Sequence, residues 1–259
     1  MPATYRHHMR CRCVETHAEH AAGARPFAFA STTRKYEPPR PFRVTHLALD
    51  ITLDVATKAI EGEARLHFER IDPEASEMVL DAIGFELRGV HVGDRATNVA
   101  YDGERIRVPI GHNTRHGELR VRYRVTPRKG MYFLAPDEWV RDRPNQVWTQ
   151  CQEEDARHWL PCHDKPHMKM TTEIRATVPS GWRVLSNGDL VDSSTVEGEA
   201  WVFHWKMNEP HPSYLLTLVA GEFDVVTDEA SEVPLTYWVP KGRAEDGTLR
   251  RGQGEVGHR

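Results

Sequence analysis

Apolar and polar residues alternate along most of the chain. In the segment LALDITLDV, the apolar residues Leu47, Leu49, Ile51 and Leu53 stand at every second position. A period of two places these side chains on one face of a half-buried strand. Similar segments recur about every ten residues as far as PLTYWVP, separated by glycine, proline, asparagine or aspartate. The pattern predicts an all-β domain, either a sandwich or a barrel-like sheet.

Helical periodicity is almost absent from the sequence. No long segment repeats its apolar residues at a spacing of three and four positions. The sequence therefore leaves room only for short helical turns. The favoured place for such a turn is Asp155 to Trp159, within the stretch that is densest in polar residues.

The extent of the alternating pattern divides the chain into three parts. Residues 1–40 contain histidines and cysteines without any apolar period, so we expect an extended arm. Residues 41–241 carry the predicted β domain. Residues 242–259 are polar and rich in glycine and arginine, so we expect a disordered tail. A shifted reading frame would also produce such a tail.

Composition and charge exclude several classes of partner. The 259 residues carry a net charge of −4, with 28% charged and 39% hydrophobic residues. The sequence has no basic stripe with interleaved aromatic residues, so it does not predict a nucleic-acid surface. No apolar run approaches the roughly 20 residues of a membrane helix, and the first residues lack the apolar stretch of a secretory signal. Four cysteines do not form a disulfide framework in a chain of this length, so we expect a reducing, cytoplasmic compartment.

The N-terminal arm contains one candidate metal site. Cys11, Cys13, His17 and His20 supply thiolate and imidazole ligands of the kind that zinc prefers. Their spacing is tighter than in zinc fingers, and no apolar residues surround them. A histidine-rich arm without a metal is the favoured interpretation, and four protein ligands would in any case make the site structural.

The stretch TQCQEEDARHWLPCHDKP, residues 149–166, holds the main candidate site. Gln150 and Gln152 are two positions apart on a predicted strand, so they share a face while Cys151 points the other way. Side-chain amides donate and accept hydrogen bonds but neither ionise nor attack at neutral pH. Such a pair suits the binding of an ammonium group or a peptide backbone. The alternative is a pair of surface amides without a ligand.

The end of this stretch, PCHDKP, reads as a proline-flanked turn. Asp164 can close such a turn through a hydrogen bond to its own backbone. Cys162 and His163 could be taken for a thiol nucleophile and its base. Adjacent residues rarely face each other, and the sequence supplies no third group to orient the base, so cysteine catalysis is not favoured.

Residues 149–166 closely resemble a stretch of the M1 family of zinc aminopeptidases. In that family a Gln-x-Glu or Gln-x-Gln pair precedes DAR and then a PC.D.P turn, and the Gln-Cys-Gln form is most similar to the leukotriene-hydrolysing branch. The resemblance continues in KGMYFLAPDE, in MKMTTEIRATVPSGWRVLSNGDLV and in NEPHPSYLLTLVAGEFDVV. It runs in order from about Phe42 to Lys241.

This resemblance implies a fold and a role for the glutamines. The fold would be the family's saddle-like, multi-stranded antiparallel β sandwich at the N-terminus. Gln150 and Gln152 would line the substrate entrance and hold the free α-amino group of a peptide. Members with glutamate at the second position place a negative charge there, whereas Gln152 is neutral. The neutral amide weakens ammonium binding unless another carboxylate supplies the charge.

The resemblance also indicates what these 259 residues lack. In the family, zinc is held by His-Glu-x-x-His and a further glutamate, and a Gly-x-Met-Glu-Asn strand holds the peptide amino terminus. Neither motif occurs in this sequence. We therefore expect the zinc of the intact enzyme to belong to a missing catalytic domain and the chain alone to be inactive. The alternative function is a non-catalytic scaffold that binds a partner protein through the face the catalytic domain would cover.

Overall fold

The computed structural model describes residues 40–196, 200–228 and 233–247. Almost all regular structure in these residues is strand, which confirms the predicted all-β class. The strands, with two short 3₁₀ helices η1 and η2, are β1 (Phe42–Asp54), β2 (Ala59–Arg70), β3 (Glu77–Asp81), β4 (Glu86–Val92), β5 (Arg95–Ala96), β6 (Ala100–Tyr101), β7 (Arg105–Pro109), β8 (His116–Val125), β9 (Gly130–Leu134), β10 (Gln146–Gln150), η1 (Ala156–His158), β11 (Lys169–Pro179), β12 (Arg183–Ser186), β13 (Asp189–Val196), β14 (Ala200–Pro212), η2 (Ser213–Leu215), β15 (Leu218–Gly221), β16 (Phe223–Asp228) and β17 (Leu235–Pro240).

The largest sheet has eight strands in the order β13-β14-β11-β1-β2-β8-β4-β5. Neighbouring strands run antiparallel except β1 and β11, which are parallel, with His46 opposite Thr171 and Thr52 opposite Thr177. This parallel pair is an exception within the predicted antiparallel sandwich. Parallel neighbours require a long crossover, and the segment from β2 to β10 supplies it. Alternation within a strand carries no information about the direction of its neighbour.

Three smaller sheets accompany the large sheet, and the four-stranded and three-stranded ones share one hydrophobic core with it. Their orders are β12-β15-β10-β9, β3-β7-β6 and β16-β17. The alternating residues of β1 behave as predicted, since Leu47, Leu49 and Ile51 are at most 1% exposed. Met78 on β3 and Val147 on β10 belong to the same core. Inward-facing positions from several sheets therefore share one apolar interior, as expected for a sandwich.

The helical turn predicted near Asp155 is η1, which follows β10 directly. Trp159, the residue after η1, is fully buried, and its carbonyl accepts a hydrogen bond from the Tyr123 hydroxyl at 3.0 Å. Tyr123 lies on β8 and stacks on Phe85 with ring centroids 4.7 Å apart. The segment that follows Gln150 is thus anchored to the large sheet.

Most residues of the predicted arm and of the predicted tail lie outside the described ranges. Strand structure starts at Phe42 and ends at Pro240. Two backbone amides beyond it still bind β16 and its flank, since Lys241 N donates to Glu222 O at 2.9 Å and Gly242 N donates to Asp224 Oδ2 at 2.6 Å. Residues 1–39 of the predicted arm (1–40) and residues 248–259 of the predicted tail (242–259) lie outside the described residues, so their predicted states stay predictions. Among the residues that are described, no helix has the length and apolar character to cross a bilayer.

His163 lies in the interior of the domain and is only 3% exposed. Its Nδ1 atom is buried and makes no hydrogen bond within the described structure. Burial disfavours the charged ring and, helped by the nearby Arg40 guanidinium, lowers the pKa of His163 to about 4. The imidazole is therefore neutral in the folded protein at neutral pH.

This lowered pKa predicts a loss of stability in mild acid. Unfolded His163 takes up a proton below its ordinary pKa near 6.5, whereas folded His163 does so only near 4, so stability is fully present above pH 6.5 and falls as the pH drops. We expect the free energy of unfolding to decrease by about 2 kcal/mol from this residue between pH 7 and pH 5. Urea titrations at both pH values measure the decrease. His163→Leu removes the titrating group, and an equal decrease in that variant contradicts the assignment.

Candidate functional site

Gln150 and Gln152 are both exposed, and Cys151 between them is 1% exposed. Gln150 ends β10 and lies opposite Gly130 of β9. Gln152 stands just past the strand, in the turn that leads into η1. The predicted arrangement of two amides toward solvent and one thiol toward the interior is present. The structure leaves their role as a substrate-binding pair a prediction.

Hydrogen bonds of Cys151 fix the backbone between the two glutamines. Its thiol donates to the carbonyl of Gly130 at 3.3 Å and accepts from the indole Nε1 of Trp159 at 3.2 Å. Its own carbonyl accepts the amide of Asp155 at 3.0 Å. Burial raises the pKa of Cys151 to about 11, so the sulfur keeps its proton and remains a donor. Cys151 is an anchor and not a nucleophile.

Gly130 allows the turn after Gln152 to pack against β9. It has a φ of +76°, in the region that favours glycine. A Cβ atom at this position would lie 2.1 Å from the carbonyl oxygen of Asp155 and 3.3 Å from Cδ1 of Trp159. Only a residue without a side chain fits here. The glycine in KGMYFL is therefore required by the site segment.

Asp164 is fully buried and connects three parts of the chain. Its Oδ1 accepts the hydroxyl of Ser213 at 2.6 Å, and its Oδ2 accepts the backbone amide and Nε of Arg157 at 3.1 and 3.0 Å. Its backbone amide donates to Oδ2 of Asp81 at 3.1 Å. The sequence predicted a hydrogen bond from the Asp164 side chain to its own backbone. The observed partners are distant residues instead, because the side chain points into the interior.

Three acidic residues directly follow Gln152. Glu154 is bound by Arg157 Nη2 at 2.6 Å and by Lys165 Nζ at 2.8 Å. Asp155 lies 3.9 Å from Lys129 Nζ. Glu153 is exposed and forms no ion pair with another described residue. It is the carboxylate in this turn that no described cation neutralises.

Cys162 and His163 are structural residues. The backbone of Cys162 pairs with that of Asp81, through amide-to-carbonyl distances of 2.8 and 3.1 Å. Burial raises the pKa of the Cys162 thiol well above its usual value. Both side chains are at most 3% exposed. A buried, protonated thiol that solvent does not reach cannot serve as a nucleophile, in agreement with the sequence analysis.

A row of apolar side chains crosses the four-stranded sheet on the face that carries Gln150. Leu185 lies opposite Val219, Val219 opposite Trp148, and Trp148 opposite Tyr132. Trp148 is 36% exposed and stacks on Tyr132 with ring centroids 4.7 Å apart. We call these four residues the apolar row. A continuous row of partly exposed apolar side chains is typical of surfaces that bind another body.

Metal ligands are not gathered in the described ranges. No three histidine, cysteine, aspartate or glutamate side chains in them are placed to hold a metal ion. The candidate ligands Cys11, Cys13, His17 and His20 lie outside the described residues.

A family model for the peptidase M1 N-terminal domain matches residues 33–215. This chain belongs to that family. The resemblance stated from residues 149–166 is thereby confirmed. In this M1 domain Gln150 is the last residue of β10 and Gln152 lies two positions beyond it.

Curated relatives of this M1 domain are much longer than the chain. Aminopeptidase N of Haemophilus influenzae is 28% identical over 235 residues, covering 85% of this chain and 26% of that protein. Leukotriene A-4 hydrolase of Xenopus laevis is 22% identical over 215 residues, covering 78% and 34%. Aminopeptidase B of Mus musculus is 28% identical over 231 residues, covering 78% and 34%. The chain thus spans about a quarter to a third of their length.

Solved structures agree with the fold. Yeast LTA4 hydrolase in complex with bestatin matches with a TM-score of 0.68 at 19% identity, over 85% of this chain and 35% of that chain. An M1 zinc metallopeptidase from Deinococcus radiodurans matches with a TM-score of 0.62 at 20% identity, over 80% and 52%. At these identities the likeness shows the fold alone.

Gly130 offers a direct test of how the site segment is held. We expect Gly130→Ala to lower the free energy of unfolding, because the new methyl group would overlap the Asp155 carbonyl in addition to the positive φ. The matched control is Gly181→Ala, since Gly181 has a φ of +82° with nothing within 4 Å of the added Cβ. The control should cost about 1 kcal/mol and Gly130→Ala about 2 kcal/mol more. Equal losses in urea unfolding would mean that the close approach is not real.

Proposed function

We propose that this M1 domain forms the substrate entrance of a zinc-dependent aminopeptidase and that Gln150 and Gln152 hold the free α-amino group of the peptide. The observation that carries the proposal is the exposed, buried, exposed order of Gln150, Cys151 and Gln152 at a strand end held by Gly130 and Trp159. Family membership and the names of the relatives support the reaction class.

The chemistry of the pair limits its part in the reaction. Each amide oxygen accepts a hydrogen bond from an ammonium group, and each NH2 group donates to a peptide carbonyl. Neither side chain takes up or releases a proton near neutral pH. The pair therefore binds and orients the peptide end and leaves the activation of water to other groups. Glu153, exposed one residue after Gln152, is a nearby carboxylate that could offset the missing charge of Gln152.

Zinc enters the proposal only for the intact protein. Several relatives and structural neighbours are named aminopeptidases or zinc metallopeptidases. Bound zinc supplies a Lewis acid for the scissile carbonyl and acidifies a bound water. The described residues do not fit such a centre, and the whole sequence lacks His-Glu-x-x-His. We therefore assign the zinc chemistry to a catalytic domain beyond these 259 residues.

The apolar row supports a partner on the four-stranded sheet. A catalytic domain packed there would cover Trp148 and Tyr132 while leaving Gln150 at the rim. A separate partner protein on the same surface is the second candidate, and it would make the chain a scaffold instead of part of an enzyme. Size-exclusion chromatography separates the two, because a clean monomer favours a self-sufficient module and aggregation favours a domain that lacks its cover.

A cytoplasmic setting completes the proposal. It is supported by Cys151 and Cys162, which are both free thiols in the folded domain. Reduced cysteines of this kind are usual in a reducing compartment.

Binding of a free amino terminus tests the glutamine pair. We expect L-leucine amide, but not N-acetyl-L-leucine amide, to shift the side-chain NH2 signals of Gln150 and Gln152 in ¹H–¹⁵N spectra of the 259-residue chain. Gln150→Ala and Gln152→Ala should each weaken the binding about tenfold, because each removes one acceptor for a charged donor. Gln146→Ala is the matched control on the same strand and face. Equal shifts with the acetylated ligand would refute the assignment.

An activity assay tests whether the 259-residue chain has catalytic activity of its own. We expect the purified chain to release no product from an aminoacyl p-nitroanilide, with or without added zinc, because its sequence lacks the His-Glu-x-x-His that the proposal requires for water activation. The assay is absorbance of the released nitroaniline. Zinc-dependent release by the chain alone would show that it contains its own catalytic centre.

A further inference from the structure

We propose that Asp164 is a positioning residue, which fixes the turn that presents Gln152 and thereby sets the affinity of the site for a free amino group. The inference rests on the proposed function in that its ligand is the same peptide amino terminus. Asp164 itself is fully buried and does not reach that ligand. Its effect would pass through Arg157 and Trp159.

The first step is the saturation of the buried carboxylate. Both oxygens of Asp164 are occupied, one by the Ser213 hydroxyl and the other by the backbone amide and Nε of Arg157. A buried charge is stable only while such donors remain in place. Arg157, in η1, is therefore held in one position relative to Asp164.

The second step leads from Arg157 to Glu154, two residues after Gln152. The same guanidinium donates through Nη2 to the carbonyl of Asp164 at 3.0 Å and to Oε2 of Glu154 at 2.6 Å. Lys165 Nζ binds the other oxygen of Glu154 at 2.8 Å. Glu154 is thus bound by residues at both ends of the segment 157–165. These two ion pairs fix the chain on the C-terminal side of Gln152.

The third step fixes the residue before Gln152. Trp159 follows η1 by one position, and its indole donates to the thiol of Cys151. The amide of Asp155 binds the carbonyl of the same cysteine. Holding η1 in place therefore also holds Cys151. Gln152 is left as an exposed residue between Cys151 and Glu154, which are both held by hydrogen bonds, and this lowers the ordering cost of ligand binding.

Arg70 shows what a purely structural buried charge looks like in this fold. It is 7% exposed, and its guanidinium binds the carbonyls of Thr114 at 3.0 Å and Gly111 at 2.6 Å. None of its hydrogen bonds reaches residues 150–165. A substitution at Arg70 should therefore lower stability without changing the site, which makes it the matched control.

The experiment compares Asp164→Asn with Arg70→Lys in the 259-residue chain. The asparagine keeps the size of the side chain but removes the charge that binds Arg157 and Ser213. Hydrogen exchange is measured for the amides of Asp155 and Arg157 and for β1 amides as an internal reference. Binding of L-leucine amide is measured by the side-chain shifts of Gln150 and Gln152. We expect Asp164→Asn to speed exchange at Asp155 and Arg157 by about tenfold more than at β1 and to weaken binding by about tenfold.

The control variant should behave differently. Arg70→Lys should change exchange at Asp155 and Arg157 no more than at β1 and leave ligand binding intact. Exchange at Asp155 and Arg157 that follows β1 in both variants overturns the positioning role. Faster exchange with unchanged binding shows that Asp164 orders the turn without setting affinity, and it also overturns the proposal.

Two further results keep the outcomes separate. If the unmodified chain fails to bind L-leucine amide, the proposed function falls and the affinity claim falls with it, while the exchange data still decide whether Asp164 orders the turn. If Asp164→Asn does not fold, Ser213→Ala removes one donor to the same carboxylate and replaces it in both measurements. Unchanged exchange and binding in Ser213→Ala would then count against the proposal.

Discussion

A carboxylate removed from water must find all of its hydrogen-bond donors inside the protein, and Asp164 imposes that condition on this fold. Its donors come from Ser213, which is 49 residues away, and from Arg157, while its own amide binds Asp81, which is 83 residues away. The ends of β3 and β14 and the turn after β10 must therefore reach their final places together. Partial satisfaction would leave a charge buried without a partner, which costs more than any single hydrogen bond contributes.

Local pattern predicted the elements of this fold better than their partners. The alternation in β1 and the short turn at η1 follow from side-chain period and from the absence of a helical repeat, and both are present. The parallel pairing of β1 with β11 does not follow, because a strand has the same alternation whichever way its neighbour runs. The partners of Asp164 were likewise missed, since nothing near position 164 points to Ser213. Gly130 stands in the motif KGMYFLAPDE, but the requirement for glycine is visible only in the structure, where Asp155 lies beside it.

The exposed side chains of the candidate site suit ligand binding and not proton transfer. Gln150 and Gln152 are neutral and exposed, whereas Cys151 between them and His163 farther along the chain are kept uncharged by burial. Under the proposed function, such a surface would bind a polar end group without exchanging protons with it. In the proposed function, the apolar row beside Gln150 would be the contact surface for a partner, and the chain spans only part of the length of its relatives.

The parallel contact at the centre of the large sheet also governs how the molecule is made. His46 on β1 meets Thr171 on β11, which is 125 positions later in the chain. A ribosome adds ~5–20 residues per second, so β1 emerges roughly ten seconds before its central neighbour exists. During that interval β1 can pair with β2 alone, and its other edge stays open. The nascent chain therefore carries an unprotected strand edge throughout that interval, the condition under which chaperones are needed.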